Sequence, residues 1–232
     1  MNPYFPSPVN FDVIIPARNE APTIAAVVQA ARESRGVNRV LVVDDHSTDD
    51  TASVARNAGA EVIPSNGNAS KALSLATGVA ATTSDVLLFF DADILGAKGE
   101  HFDLLAAPVL DDGYAMSCGI VDYGRRKSAI FMRFPPITGL RAVRRDVFEA
   151  IPQEKRNGFQ IEIMINEIVA RGRMRTAMRV LRGTSHRSKV EKLGRIRGTR
   201  AHVAMTLELL QCLTFVPLWT YRSYLENLTI LD

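Results

Sequence analysis

Cysteine is scarce in this 232-residue chain. The two present, Cys118 and Cys212, have no ligand-like spacing, which speaks against a cysteine metal site and fits a reducing compartment. No basic region followed by an apolar stretch and a cleavage site opens the sequence. MNPYFPSPVN is proline-rich and unlike a signal peptide, so the expected location is the cytoplasm. Internal repeats and low-complexity tracts are missing as well. Glycine is absent from PARNEAPTI, where a dinucleotide binder needs its glycine-rich turn, and the P-loop pattern does not occur. Neither charge dominates, the formal net charge being +3. The exception is Arg171 to Arg200, where cations crowd and Glu191 is the lone acid, a stretch expected to face an anionic partner or solvent. It lacks the interleaved aromatics that base stacking needs, which argues against a nucleic-acid module.

What is present is an alternation. Phe11 to Ile15, Val40 to Val43, Ala60 to Ile63 and Val86 to Phe90 are short apolar runs, and between them lie helical patterns at Thr23 to Arg32, Thr51 to Asn57 and Lys71 to Ala80. Strands that are apolar throughout are buried on both faces, so the pattern predicts a mostly parallel α/β sheet flanked by helices. Past Asp91 the rhythm loosens. GRRK at 124–127 and FPPITG at 134–139 read as loops, and helical spacing returns at Asp146 to Ile151 and Ile161 to Arg171. The expected organisation is one domain over 1–198, followed by an apolar helical tail over 199–232.

In such sheets ligands bind beyond the carboxyl ends of the strands. Three polar clusters stand there: PARNEA, DDHSTDDT and DADI. Ser47 or Asp49 is expected to cap the second helix. Capping does not explain Asp44 beside Asp45, or Asp91 beside Asp93. Carboxylates this close repel, which implies a shared proton or a cation, and hard oxygen ligands suit Mg2+ or Mn2+ bridging to a substrate's phosphates. Aspartyl-phosphate enzymes place an Asp-x-Asp on their first strand, the reverse of the order here.

Seven segments in order, VIIPARNEAPTI, VLVVDDHSTDDT, NASKALSLATGVA, VLLFFDADIL, ITGLRAVRRDVF, GFQIEIMIN and HRSKVEKLG, resemble the GT-A glycosyltransferases of family 2 and relatives such as glucosyl-3-phosphoglycerate synthases and polyprenyl-phosphate sugar transferases. The resemblance implies a GT-A fold and transfer of a sugar from a nucleoside-diphosphate donor, UDP being the commonest nucleotide of the family. It implies that Pro16, Ala17, Arg18 and Glu20 line the nucleotide pocket, that Asp45 meets the base, and that Lys71 lies near the donor, although NASK replaces the family's GKGx. Asp91 would lie near the ribose or sugar, Asp93 would bind the metal, and His186 matches the metal-ligand histidine of the phosphoglycerate-using branch. Glu162 in GFQIEI would face the acceptor and serve inverting members as general base; the plain alternative is a first-turn glutamate favoured by the helix dipole. His186 points instead to a retaining branch, so stereochemistry stays open. Arg182, Arg187 and Lys189 would offset charge on the leaving group. His46 is expected in a turn, His101 on a helix surface and His202 at the start of the tail, none of them holding metal.

Arg125, Arg126 and Lys127 read equally as an acceptor-side or a solvated loop. Two other classes use the same features: a phosphohydrolase or nucleotidyltransferase on the carboxylates, and a nucleic-acid binder on the basic stretch. The acceptor is unidentified, with a small phosphorylated acid one reading. Ser188, Lys189 and Val190 resemble the SKV of polyprenyl-phosphate transferases, the alternative acceptor class. From Val203 to Leu213 the tail is apolar on almost every helical face, yet Glu208 and Pro217 interrupt it before the roughly 20 residues of a spanning helix. Something must cover it. The expectation is a homodimer joined through this tail, with packing on its own domain and peripheral membrane contact as the alternatives.

Overall fold

The computed structural model describes residues 10–133, 137–153, 160–187 and 218–231. Four parallel strands come first: β1 (Phe11–Ala17), β2 (Val37–Asp44), β3 (Glu61–Pro64) and β4 (Val86–Phe89). They are joined by α1 (Ile24–Arg32), α2 (Thr51–Asn57) and α3 (Lys71–Ala80). Their apolar runs split by parity as two covered faces demand. Val13, Ile15, Val86 and Leu88 pack on the side of α1, whereas Ile14, Leu87 and Phe89 pack with Leu75 and Val79 of α3. A side chain at Gly78 would overlap Ile14, so glycine there lets α3 sit close on β1.

The second half of the chain adds β5 (Ile94–Leu95), α4 (Gly99–Asp111), β6 (Met116–Val121), α5 (Arg125–Phe131), β7 (Arg141–Arg144), α6 (Arg145–Glu149), α7 (Gln160–Arg171), β8 (Thr176–Leu181), β9 (Ser185–His186), α8 (Leu218–Glu226) and β10 (Leu228–Ile230). The main sheet has the order β10-β8-β6-β7-β4-β1-β2-β3, and β5 pairs with β9 in a small second sheet. Strand β7 runs antiparallel to β4 and β6, with Arg141 opposite Phe89. An antiparallel strand enters a sheet at the edge where its parallel neighbours leave it. The segment leading into β7 therefore lies at the same rim as Asp91, which follows β4.

Several expectations change. GRRK opens helix α5 and is not a loop. Neither Ser47 nor Asp49 is the boundary residue of α2, which is Asp50; Asp49 instead accepts the Thr51 N–H at 3.0 Å, forming a turn ahead of the helix. The boundary near Gly198 and the apolar run Val203 to Leu213 lie outside the described residues. Residues 218–231 form α8 and β10, both built into the domain: Ser223 Oγ donates to Ala170 O at 2.7 Å, Tyr224 is buried, and β10 pairs in parallel with β8. No helix among the described residues is long and apolar enough to cross a membrane.

Candidate functional site

The rim at the carboxyl ends of β1, β2 and β4 gathers most of the residues singled out above. The turns after β1 and β2 are tied together by their own side chains. Asn19 and His46 take left-handed backbone conformations, with φ of 56° and 60°. In that bend Asn19 Oδ1 accepts the Thr48 N–H at 2.8 Å and the Asn19 N–H donates to Ser47 Oγ at 3.0 Å. The Glu20 N–H donates to Thr51 Oγ1 at 2.8 Å, and the Ala21 N–H to Asp49 Oδ2 at 3.3 Å. Pro16 and Ala17 lie opposite Val43 and Asp44, Arg18 is exposed, and Glu20 is buried with Thr23 Oγ1 donating to its carboxylate at 3.3 Å.

Asp44 and Asp45 do not act as a pair. Asp44 Oδ1 accepts the Ser47 N–H at 3.4 Å, while buried Asp45 accepts the Ser70 N–H at 3.3 Å, at the start of α3. Successive residues at a strand end point opposite ways, so backbone amides take up the carboxylates and no cation is needed between them.

One residue past Ser70, Lys71 opens α3. Its Nζ lies 2.7 Å from Asp91 Oδ1 and 3.0 Å from Glu162 Oε1. Burial opposes the charge on Lys71, but Asp91 and Glu162 outweigh it and hold the ammonium well above the usual lysine range. The first turn of α3 adds positive potential to the same point. Glu162 comes from the first turn of α7 and its side chain is only 5% exposed. With Oε1 on Lys71, its Oε2 is buried and has no hydrogen-bond partner among the described residues. A buried acceptor without a donor costs about 1–3 kcal/mol, so this oxygen favours an arriving hydroxyl.

Arg141 of β7, buried and unsuspected from the sequence, braces this corner. It donates through Nε and Nη2 to Thr138 O at 2.9 and 2.6 Å, and through Nη1 to Glu162 O and Asn166 Oδ1, both at 3.3 Å. The same turn carries Gly139, where any side chain would collide with the carboxylate of Asp91. A cation inside the apolar stretch ITGLRAV was the signal that sequence reasoning passed over.

Asp93 and His186 meet through the small sheet. Ile94 of β5 lies opposite His186 of β9, and the Arg187 N–H donates to Asp93 O at 3.0 Å. His186 Nδ1 stands 3.6 Å from Asp93 Oδ1, too far for a hydrogen bond. Two ligands on one ion at about 2.1 Å each can stand up to about 4.2 Å apart, so the pair fits a shared divalent cation. Among the described residues no three His, Cys, Asp or Glu side chains gather for a metal. Two protein ligands suit Mg2+ or Mn2+ when substrate phosphates and water supply the rest.

The other end of this clip is closed by His101. It was expected on a helix surface, but it is buried at the start of α4. Its Nδ1 accepts the Lys98 N–H at 3.1 Å, which leaves Nε2 to donate to Arg182 O at 3.1 Å. One neutral tautomer satisfies both partners and ties the segment after β5 to the turn before β9. Burial pushes the imidazole below its ordinary value of 6.5 despite the bond to Arg182. Stability from neutral His101 is therefore fully present above about pH 6.5 and is lost as pH falls through the lower folded value. His101→Ala is expected to cost about 3 kcal/mol at pH 8, and the gap from wild type should narrow toward pH 5. Thermal unfolding of both proteins across that range checks this; a constant gap would refute the neutral tautomer.

The described part of the basic stretch does not form one face. Arg171 pairs with Glu167, Arg175 stacks on Tyr114 with its guanidinium 4.1 Å from the ring centre, and Arg179 is buried in β8. Arg182 is exposed and Arg187 half-buried, while Ser188, Lys189, Val190 and His202 lie outside the described residues.

Residues 12–174 match the family described as glycosyl transferase family 2. The chain is 36% identical over 91 residues to 4,4'-diaponeurosporenoate glycosyltransferase of Staphylococcus haemolyticus, covering 37% of this chain and 24% of that protein. It is 32% identical over 107 residues to glucosyl-3-phosphoglycerate synthase of Mycolicibacterium smegmatis, covering 42% of this chain and 35% of that protein. The match thus spans about a quarter to a third of the length of these curated relatives. Among solved structures, glucosyl-3-phosphoglycerate synthase from Mycobacterium tuberculosis in complex with Mn2+, UDP and phosphoglyceric acid superposes with a TM-score of 0.68 at 25% identity, over 90% of this chain and 79% of that one. The same enzyme with Mg2+ and UDP gives 0.65 at 25% identity, over 77% and 71%.

Proposed function

Since the chain belongs to glycosyl transferase family 2, we propose that it moves a sugar from a UDP-sugar to an acceptor with the help of Mg2+ or Mn2+. One observation carries this reading: at a single rim the Asp93–His186 pair, spaced for a cation, stands two residues from the Lys71–Asp91–Glu162 cluster, which keeps one buried oxygen uncommitted. The tied turns after β1 and β2, with Pro16, Ala17, Arg18, Glu20 and Asp45, form the nucleotide side. Asp93 and His186 hold the cation, which when bound offsets the negative charge of the diphosphate. Asp91 and Lys71 orient the sugar, and Glu162 accepts a hydrogen bond from a hydroxyl. The relatives crystallised with UDP and with Mn2+ or Mg2+ support the nucleotide and the metal.

The relative bound to phosphoglyceric acid supports a small phosphorylated acid as acceptor. A polyprenyl phosphate is the competing acceptor, on the strength of Ser188–Val190. A homodimer joined through the tail belongs to the same proposal, and light scattering of the full chain reads it.

The test is a thermal-shift comparison of UDP, GDP, ADP and CDP with and without Mn2+. UDP at a hundred times its Kd is expected to add about 2.7 kcal/mol, roughly 5 to 10 °C at this size, only when Mn2+ is present. Equal shifts by all four nucleotides, or shifts indifferent to metal, would overturn the reading. Release of phosphate or pyrophosphate in place of UDP would favour a phosphohydrolase or nucleotidyltransferase.

A further inference from the structure

Helix α5 turns an unusual side outward. Ser128 is buried and Met132, one turn on, packs against the core, which fixes the inward face. The outward face then carries Arg126 and Lys127 in its first turn and, four residues later on the same lines, Ile130 and Phe131. Ile130 is 60% and Phe131 51% exposed. Tyr123, just before the helix, is also exposed, and its ring meets that of Phe131 at 5.0 Å between centres. No acidic residue occurs between Tyr123 and Arg133. Arg125, Arg126, Lys127 and Arg133 are exposed and make no ion pair with a described residue.

Scattered exposed apolar residues need no explanation, but an apolar cluster rimmed by unpaired cations does. Helical side chains lean toward the N-terminus, so the cations reach away from the apolar turn. That division matches a lipid interface, where Phe and Ile enter the acyl boundary and Arg and Lys extend their stems to the phosphates. A stable protein interface needs roughly 800 Å² per partner with matched shape. Two turns of helix fall well short of this, whereas an anionic surface asks only for charge and a few apolar anchors. Because α5 follows the end of β6 at the site's rim, contact there would turn the site toward the surface.

We propose that α5 is an interfacial anchor that seats the chain on an anionic lipid membrane. The surface is independent of the transfer reaction and of the apolar tail. The experiment is flotation of the full chain with phosphatidylcholine vesicles, alone and with phosphatidylglycerol added, at low ionic strength. The wild type is expected to float with the anionic vesicles and not with phosphatidylcholine alone. Partitioning should weaken about five-fold for each cation removed in Arg126→Gln and Lys127→Gln, and about ten-fold or more in the Ile130→Ser/Phe131→Ser variant. These side chains point outward, so unchanged thermal unfolding would show that the fold is kept. Three outcomes overturn the proposal: no flotation of the wild type, flotation unchanged in all the variants, or a lipid-free dimer that Ile130→Ser/Phe131→Ser dissociates, which would assign the face to a second copy.

Discussion

Asp93→Ala is expected to abolish metal-dependent UDP binding and to lower turnover by about a thousand-fold or more, the worth of several kcal/mol of charge stabilisation at a diphosphate. The reasoning is geometric. Asp93, just before β5, and His186 of β9 stand 3.6 Å apart, and removing the carboxylate leaves a single imidazole to hold the ion. His186→Ala should weaken Mn2+ binding by a smaller factor, because the charged ligand remains. Calorimetric titration of UDP with and without Mn2+ reads binding, and release of UDP from UDP-sugar reads turnover. Full wild-type activity in excess chelator would sink the assignment of both residues.

A loss of similar size is expected at Glu162, with a different signature. Glu162→Gln keeps the shape and removes the charge, so with a hydroxyl acceptor kcat should fall by about 10² to 10⁴ while donor affinity stays within a few fold. Lys71 occupies Oε1 and stays protonated at neutral pH, which leaves Oε2 as the oxygen able to take a proton. If the variant turns over at the wild-type rate, Glu162 is no base, and a retaining reaction or a phosphate acceptor becomes the better account.

The first half of the sheet was legible because each of its strands carries a run of consecutive apolar residues, and α2 and α3 occupy the residues their spacing indicates. The second half was not. Strand β6, MSCGIV, contains glycine and serine where β-branched residues would mark a strand, and α4 carries Pro108 within it. Strand β7 is four residues long and holds a buried arginine, so tertiary packing sets its conformation more than local preference does.

At the site, the polar clusters at strand ends pointed to the rim, and the resemblance to a family named most of its residues. Neither could show that Lys71 would join Asp91 to Glu162 across the gap between α3 and α7. That contact depends on where an antiparallel strand enters the sheet. His101 shows the reverse error: a polar residue in a helical pattern reads as surface, yet its imidazole is buried and joins the Lys98 N–H to the Arg182 carbonyl.

The ties between the turns after β1 and β2 bear on how a donor would arrive. Asn19, Glu20 and Ala21 are already fastened to Ser47, Thr48, Thr51 and Asp49. A nucleotide landing there, as proposed, would lose less entropy in ordering turns that these bonds already hold. Under that proposal recognition on that side would rest on preorganisation, and selectivity among bases would come from unmet hydrogen bonds and clashes with the wrong base, not from loops closing around the right one.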